Sequence, residues 1–368
     1  MRKAIVVIAI LALAAPAYAQ FGGLGGAINK AQKAKETKDK IDDLTFSEEE
    51  EHKIGEDVSL KVRQRFGVVQ DQAVHKYVTL VGTALTQQTE RPNLPWTFIV
   101  LDTDGVNAFA SPGGFVHITR GALGLIENES ELAGVLGHEI GHVVRKHTIN
   151  ALRKSAAVKL GTDAAGSRNA FIGAFANLAY NNILENAYDR GDELDADKFA
   201  VQLAPKLGYA PKSLGDFLQR LDDRNKNQPA KNGLFASHPE TKERITKVGQ
   251  LAASLKTTAT VESRYHQSIS YKPTELTSIA TVADGASGLT GSTAPSKEPE
   301  KKEEPKKGIP LANLKQTVAP EKQSAEVSAS GGARGVGPDR AAKGGGNPNP
   351  VKVTVSAAEV DAFKKGIS

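Results

Sequence analysis

The stretch from Asn128 to His147 constrains this chain more than any other, because it contains the pentapeptide His138-Glu139-Ile140-Gly141-His142. Apolar residues recur along it at helical spacing, Asn128 and Glu131 stand at capping-box positions, and basic residues fill the last turn. We therefore predict one helix across the whole stretch. Residues four apart project from the same face of a helix, so both imidazoles can reach one metal ion. A core helix with two incidental histidines is the alternative.

Glu139 and a third ligand would complete a metal site. Glu139 directly follows the first histidine, which places its carboxylate beside the ion, where it can take a proton from a water molecule. A catalytic zinc site normally has three protein ligands. His147 cannot be the third, because five residues along a continuous helix rotate it by about 140° from His142. Glu193 and Asp197 lie one turn apart on a second predicted helix, where a ligand and a solvated acidic face are equally good interpretations.

A strand is predicted just before the helix that carries the two histidines. Phe115 to Thr119 has strand composition and follows the turn sequence Pro112-Gly113-Gly114. We predict that Phe115, Val116 and His117 lie on an edge strand beside the site, where an extended peptide can bind as an additional strand. An ordinary buried strand pair is an equally good interpretation. His117 itself is expected to be packed or exposed rather than to bind the metal.

Helical patterns dominate the preceding part of the chain. Ser47 and Glu50 form a capping signature that opens a helix through about Arg65, and Asp71 to Gln88 carries a second apolar stripe at helical spacing. Trp96 to Leu101 is the first predicted strand. We therefore predict an α+β fold that is mainly helical, with a small β-sheet beside the helix that carries the two histidines.

Four motifs follow one another along the chain, and their order carries a resemblance. They are Asn107 to Ala110 with its Pro-Gly-Gly turn, the HEIGH pentapeptide, Glu193 to Asp197, and Ser237-His238-Pro239. Together they resemble the zinc metallopeptidases (gluzincins) that include the heat-shock peptidase HtpX, the CAAX prenyl endopeptidases and the periplasmic protease BepA. The resemblance covers roughly residues 46 to 255 and is strongest to the soluble, exported members, because the multiple membrane spans of the HtpX and CAAX branches are missing. It implies a zincin-like metallopeptidase domain.

The resemblance also implies roles for individual residues. His138, His142 and Glu193 would bind one zinc ion per chain, Glu139 would be the general base, and Asp197 would orient a ligand histidine by holding its other ring nitrogen.

His238 has two implied roles. In BepA-like members the corresponding histidine can occupy the open position on the metal and hold the enzyme inactive, so His238 would gate the zinc or stabilise the oxyanion of the reaction. A structural helix cap is the alternative, because Ser237 and Glu240 have capping-box spacing. Arg244 is a weaker candidate for the same neighbourhood and is expected to support the fold.

The implied activity is hydrolysis of peptide bonds in unfolded or misassembled envelope proteins, that is, a zinc-dependent endopeptidase of protein quality control. A chaperone or assembly factor of the cell envelope with little proteolysis is the alternative. The chain has no cysteine, which excludes disulfides and cysteine-ligated zinc. Its net charge of +5, or +3 without Arg2 and Lys3, and the lack of interleaved basic and aromatic residues argue against a nucleic-acid partner. The oligomeric state is left open.

Both ends of the chain differ from its middle. Met1 to Ala19 has a basic start, a short apolar run and a small-x-small site, which predicts a signal peptide for export to the periplasm and no transmembrane helix after its cleavage; an uncleaved membrane anchor is the alternative. The predicted boundaries are a signal peptide at 1–19, a flexible lead-in at 20–45, the metallopeptidase domain at 46–271, a disordered linker at 272–350 and a short segment at 351–368. That last segment is expected to be a frayed terminus, with docking onto the domain as the alternative.

Overall fold

The computed structural model describes residues 45–159, 168–185, 188–225, 241–274, 279–281, 328–330 and 347–367. In chain order, the helices and strands of these residues are α1 (Glu48–Phe66), α2 (Gln72–Thr86), β1 (Thr97–Leu101), β2 (Ala108–Ser111), β3 (Phe115–Thr119), α3 (Arg120–Leu125), α4 (Glu129–Val144), α5 (His147–Lys159), α6 (Arg168–Glu185), α7 (Arg190–Leu203), α8 (Ser213–Asn225), α9 (Thr241–Ala252), α10 (Glu262–Ser268), β4 (Ile279–Thr281), β5 (Ser328–Ser330) and α11 (Ala357–Lys365). The mainly helical α+β fold predicted from the sequence is confirmed. Short 3₁₀ turns lie at Pro112–Gly114 and Ala204–Leu207.

The first two helices start at the residues whose side chains can cap them. Ser47 and Glu50 form a complete capping box at the start of α1, and Asp71 caps α2 by accepting hydrogen bonds from Ala73 N and Val74 N. Such caps satisfy backbone N–H groups that have no partner within the helix. Local sequence therefore determines both starts.

Strand β3 is the centre of a three-stranded sheet, parallel to β1 and antiparallel to β2. Val116, for example, pairs with Phe98 on one side and with Ala110 on the other. The prediction that Phe115, Val116 and His117 form an edge strand is therefore wrong. The turn between β2 and β3 is visible in the sequence, but the parallel pairing of β1 with β3 leaves no local pattern in it. The edge strand next to α4 is β2.

The sheet has a hydrophobic core on each face. Along β1, Phe98 and Val100 belong to one core and Ile99 and Leu101 to the other, as the two-residue period of a strand requires. The larger core includes apolar residues of α2, α4, α7 and α8, and the smaller one includes those of α1 and α6. A strand that is buried on both faces reads as a continuous apolar run, which is how β1 appears in the sequence.

The turn between β2 and β3 is packed against α1. Gly113 has φ +71°, and a Cβ at this position would lie 2.3 Å from His52 Cα. Only glycine combines that backbone conformation with so close an approach. The ring of His52 also lies 3.2 Å, through Nδ1, from the carbonyl oxygen of Gly113. These contacts fix the edge of the sheet relative to the first helix.

Helix α4, which carries the HEIGH pentapeptide, starts as predicted and ends early. The side chain of Asn128 accepts a hydrogen bond from Glu131 N at 3.0 Å. The helix ends at Val144, and Lys146 has φ +57°, in the left-handed region. His147 begins the next helix, so the prediction of one helix through His147 is wrong in its last turn.

Helices α4 and α7 pack closely along each other. A Cβ at Gly141 would lie 3.1 Å from Phe199 Cδ1 and 3.4 Å from Ala196 Cα, so the glycine of the pentapeptide allows this approach. The packing brings the first turn of α7, with Glu193, next to the two histidines of α4.

The C-terminal segment docks onto the domain, and the expectation of a frayed terminus is wrong. Val360, Phe363 and Ile367 are buried in the larger core. Val68 N donates a hydrogen bond to Asn347 O at 2.8 Å, and the guanidinium carbon of Arg264 lies 4.0 Å from the centre of the Phe363 ring. The three buried apolar side chains hold a short helix that would not be stable alone, and the hydrogen bond of Asn347 holds the residues that precede the segment.

Several predicted boundaries fall on residues that the structure does not describe. The signal peptide at 1–19 and the lead-in up to residue 44 lie outside the described residues. Within the predicted linker, the described parts are 272–274, the antiparallel pair of β4 and β5, and 347–350. In the part of the chain that is described, no helix is both long enough and apolar enough to cross a membrane.

Candidate metal centre

Three donor atoms from two helices converge on one point. His138 Nε2 and His142 Nε2 lie 3.1 Å apart, and the carboxylate oxygens of Glu193 lie 3.5 Å from the first and 3.4 Å from the second. Ligands at zinc distances of about 2.1 Å in a tetrahedron are themselves about 3.4 Å apart. Two imidazole nitrogens and one carboxylate oxygen therefore fit zinc in both spacing and chemistry.

The local sequence explains how each donor reaches the site. His138 and His142 are one turn apart on α4, with exposed fractions of 4% and 1%. Glu193 lies in the first turn of α7, which Asp189 starts by accepting a hydrogen bond from Asp192 N. A carboxylate in the first turn of a helix is favoured by the helix dipole. Glu193 is also buried, at 1% exposure, so it does not belong to a solvated acidic face.

Asp197 and Arg244 hold the outer side of the first histidine. Asp197 Oδ1 lies 2.9 Å from His138 Nδ1. Arg244 donates to both oxygens of Asp197, through Nε at 2.8 Å and Nη2 at 2.7 Å, and its Nη1 lies 2.9 Å from Glu193 Oε2. The guanidinium of Arg244 thus links Glu193, which belongs to the donor set, to Asp197, which lies behind His138.

Sequence reasoning underestimated Arg244, which was a weaker candidate for this neighbourhood and was expected to support the fold. Its position on α9 contained a signal, because Arg244, Val248 and Leu251 recur at the spacing of one helix face. Val248 is fully buried and Leu251 packs against the larger core. A charged residue on an inward face needs buried partners of opposite charge, and two acids were already known one turn apart on α7.

The charges of the site favour a cation. Burial and the nearby Arg244 act to lower the pKa of His138, but Glu193 and Asp197 outweigh them and raise that pKa to about 9. Burial acts to raise the pKa of Asp197, but Arg244 and His138 hold it well below its usual range. The formal charges of Glu139, Glu193 and Asp197 against Arg244 are three negative and one positive, so a divalent ion would neutralise the remainder.

The other predicted residues lie in different places. Glu139 follows His138 on α4 and is buried, with 1% exposure. His117 is on the central strand, with its Nε2 2.9 Å from Ser59 Oγ, and is not one of the three converging donors. His147 lies with its Nδ1 2.9 Å from Nδ1 of His142, a contact that sequence reasoning missed because it assumed a continuous helix. His238 falls outside the described residues.

The two-helix donor set beside a small mixed sheet defines a zincin-like metallopeptidase domain. Residues 72–252 match the model of Peptidase family M48, and this part of the chain belongs to that family. The matched range contains both histidines, Glu139, Glu193 and Arg244. Membership of this family implies a metal cofactor, and the resemblance stated from the motifs is confirmed.

Individual relatives cover parts of the chain. The beta-barrel assembly-enhancing protease of Yersinia pestis is 26% identical over 230 residues, which are 60% of this chain and 47% of that protein. Metalloprotease YcaL of Escherichia coli (strain K12) is 30% identical over 164 residues, covering 44% and 63%. The mitochondrial metalloendopeptidase OMA1 of Schizosaccharomyces pombe is 26% identical over 221 residues, covering 59% and 65%. The chain therefore spans about half the length of the first of these relatives.

Proposed function

We propose that this protein is a zinc-dependent endopeptidase. The observation that carries the proposal is the convergence of His138, His142 and Glu193 within 4.8 Å of one another, with Glu139 next to the first histidine. Two neutral nitrogens and one carboxylate are the ligand set of several zinc peptidases, and they leave a fourth position open for a water molecule or a substrate. A purely structural zinc site normally has four protein ligands.

Each side chain has a defined task in the proposed reaction. His138, His142 and Glu193 would hold the zinc ion, which when bound would act as a Lewis acid towards the scissile carbonyl and would lower the pKa of water towards neutrality. Glu139 takes the proton from the attacking water and delivers it to the leaving amine. Asp197 accepts the hydrogen on Nδ1 of His138, which leaves the Nε2 lone pair directed at the cation. Arg244 keeps Asp197 in position through two hydrogen bonds.

The substrate is proposed to bind along β2. In the described residues this strand pairs with β3 on one edge only, and it lies beside α4. Ala108 to Ser111 are at most 2% exposed, so an extended peptide could add to the other edge of β2 only after that edge opens. Strand hydrogen bonds would then hold its backbone close to His142, which lines a small cavity together with Ala110 and Ser111. This binding mode replaces the one expected at β3, since both edges of β3 are already paired.

The substrates are proposed to be unfolded or misassembled envelope proteins. One of the matched relatives is named as a beta-barrel assembly-enhancing protease, which supports this class of substrate. The composition of residues 1–19 supports export to the periplasm.

The test is cleavage of casein by the purified mature chain beside Glu139→Gln, both at matched zinc content. We expect the wild type to cut and a chelator to stop it. Loss of the general base should reduce the rate by at least about a hundredfold while the zinc remains bound. Equal cutting by both proteins would refute the role of Glu139.

A wild type that does not cut requires a second comparison, because all four side chains of the centre are buried, with at most 4% exposure. His238→Ala is then assayed under the same conditions. Cleavage that appears only in this variant indicates an endopeptidase that His238 holds inactive. If the variant is also inactive, the endopeptidase proposal fails and the chaperone or assembly-factor alternative takes its place.

A further inference from the structure

The chain between α4 and α5 makes a sharp break that several charged groups hold in place. Lys146 has φ +57°, a left-handed conformation that costs a non-glycine residue of the order of 1 kcal/mol or more. Its ammonium group binds Glu51, whose side chain is buried with 2% exposure. Arg91 lies 2.8 Å from the same carboxylate and donates to Val143 O at the end of α4. A partner on α1 thus stabilises the break.

The break brings the side chain of His147 back into contact with helix α4. On a continuous helix its side chain would be rotated by about 140° from that of His142. In the structure the Nδ1 atoms of the two histidines are 2.9 Å apart and the ring planes meet at 75°. His147 is itself buried, with 6% exposure.

The direction of this hydrogen bond follows from the donor set. His142 Nε2 is the atom that faces Glu193 and His138, so in a metal-binding, neutral imidazole the hydrogen is on Nδ1. That hydrogen is donated to His147 Nδ1. The hydrogen of His147 is then on Nε2, which lies 3.4 Å from Asp195 and 3.7 Å from Asp192. The result is a chain from the ligand nitrogen through two imidazoles to carboxylates at the surface.

The same break also fixes the face of the His142 ring. Tyr188 stacks on that ring with centroids 3.9 Å apart and an angle of 20°. The hydroxyl of Tyr188 is 2.8 Å from Thr148 Oγ1, and Thr148 directly follows His147. The two residues after the break therefore hold the His142 ring in two ways. His147 contacts its Nδ1 edge, and Thr148 holds Tyr188 against its face.

We propose that His147 is a positioning residue for His142, the second of the proposed metal ligands. It serves His142 as Asp197 serves His138. The inference rests on the proposed zinc site. His147 acts by accepting the hydrogen of His142 Nδ1, which fixes the tautomer and the ring orientation that zinc requires. It touches neither substrate nor metal.

The test compares two substitutions that separate hydrogen bonding from packing. His147→Asn keeps an acceptor near the position of Nδ1 and loses the ring, whereas His147→Phe keeps a ring and loses the acceptor. Zinc affinity is measured on the full mature chain at pH 7 by competition with a chromophoric chelator, and thermal unfolding of the metal-free proteins reports packing. We expect the Phe variant to bind zinc about 10- to 100-fold more weakly than the wild type, and the Asn variant to stay closer to the wild type.

Each outcome has a defined meaning. A role in packing alone predicts the opposite order, with the Phe variant close to the wild type, and that result would overturn the proposal. If the Phe variant does not fold, His147→Gln replaces it, because the glutamine amide falls near Nε2 and leaves Nδ1 of His142 without its acceptor. If the wild type does not bind zinc, the proposed function itself is refuted. If the wild type binds zinc but no more tightly than the Phe or Gln variant does, only the role of His147 is refuted.

Discussion

His117 on β3 and His138 on α4 are both buried, with exposed fractions of 0% and 4%, yet their electrostatic surroundings are opposite. Burial lowers the pKa of His117 to about 3, and the positive charge of Arg63 acts in the same direction. Around His138, burial and Arg244 also act to lower the pKa, but Glu193 and Asp197 outweigh them and raise it to about 9.

The comparison shows that burial of a histidine does not by itself make a metal ligand. Without acidic neighbours a buried imidazole is held neutral and becomes a hydrogen-bonding part of the core, as His117 does with Ser59. Two carboxylates one turn apart on a packed helix reverse this, because they must be neutralised by a proton or a cation. The acids of α7 distinguish the candidate metal centre from the sheet.

Removal of the acid that faces both ligand histidines should have the largest effect. In Glu193→Gln the donor set loses its anionic ligand, so we expect zinc affinity to fall by more than the 10- to 100-fold that partners behind the ligands contribute. Chelator competition measures this fall. Glu243→Gln is the matched control, because Glu243 lies next to Arg244 in the chain but pairs with Arg190 at the surface. A similar zinc affinity in both variants would contradict the assignment of Glu193.

The sheet histidine should make stability depend on pH in the acid range. The pKa of His117 is lowered from its ordinary 6.5 to about 3 on folding, so between these values the unfolded chain binds more protons than the folded one. Its contribution is fully present above about pH 6.5 and is lost as the pH falls towards 3, at up to about 1.4 kcal/mol per pH unit.

Urea unfolding at pH 7, 6, 5 and 4 measures this slope for the wild type and for His117→Gln. The glutamine amide can still reach Ser59 but does not titrate, so the variant should lose stability less steeply. Equal slopes in the two proteins would assign the acid sensitivity to other groups.

The smallest effect is expected at a buried acid that already has its own donors. Glu129, the first residue of α4, accepts hydrogen bonds from Tyr77 at 2.8 Å, Tyr209 at 2.6 Å and Arg264 Nε at 2.6 Å. Tyr77→Phe removes one of the three side chains that donate to Glu129 and should cost about 1 to 2 kcal/mol of stability with no change in zinc affinity. A drop in zinc affinity would show that the start of α4 is coupled to its metal-binding end.

The sequence predicted which side chains converge better than it predicted the sheet. Spacing along one helix was enough to place His138 and His142 on a common face, and Asn128 was enough to place the start of that helix. For Glu193 the residues alone left a ligand and a solvated acidic face equally good, and the motif order favoured the ligand. The structure places its carboxylate next to both histidines. The edge strand was misassigned because pairing of β1 with β3 joins segments with β2 between them.

Features that depend on neighbours within a few residues can be predicted from the sequence: the helix caps, the apolar stripes and the four-residue spacing of the histidines. The tertiary structure alone decided the end of α4, because Glu51 lies 95 residues before the Lys146 that it holds. It also decided that His147 meets His142 and that Arg244 joins Glu193 to Asp197. Caps and periodicity act through adjacent backbone groups, whereas buried charges select any partner that the fold brings within hydrogen-bonding distance.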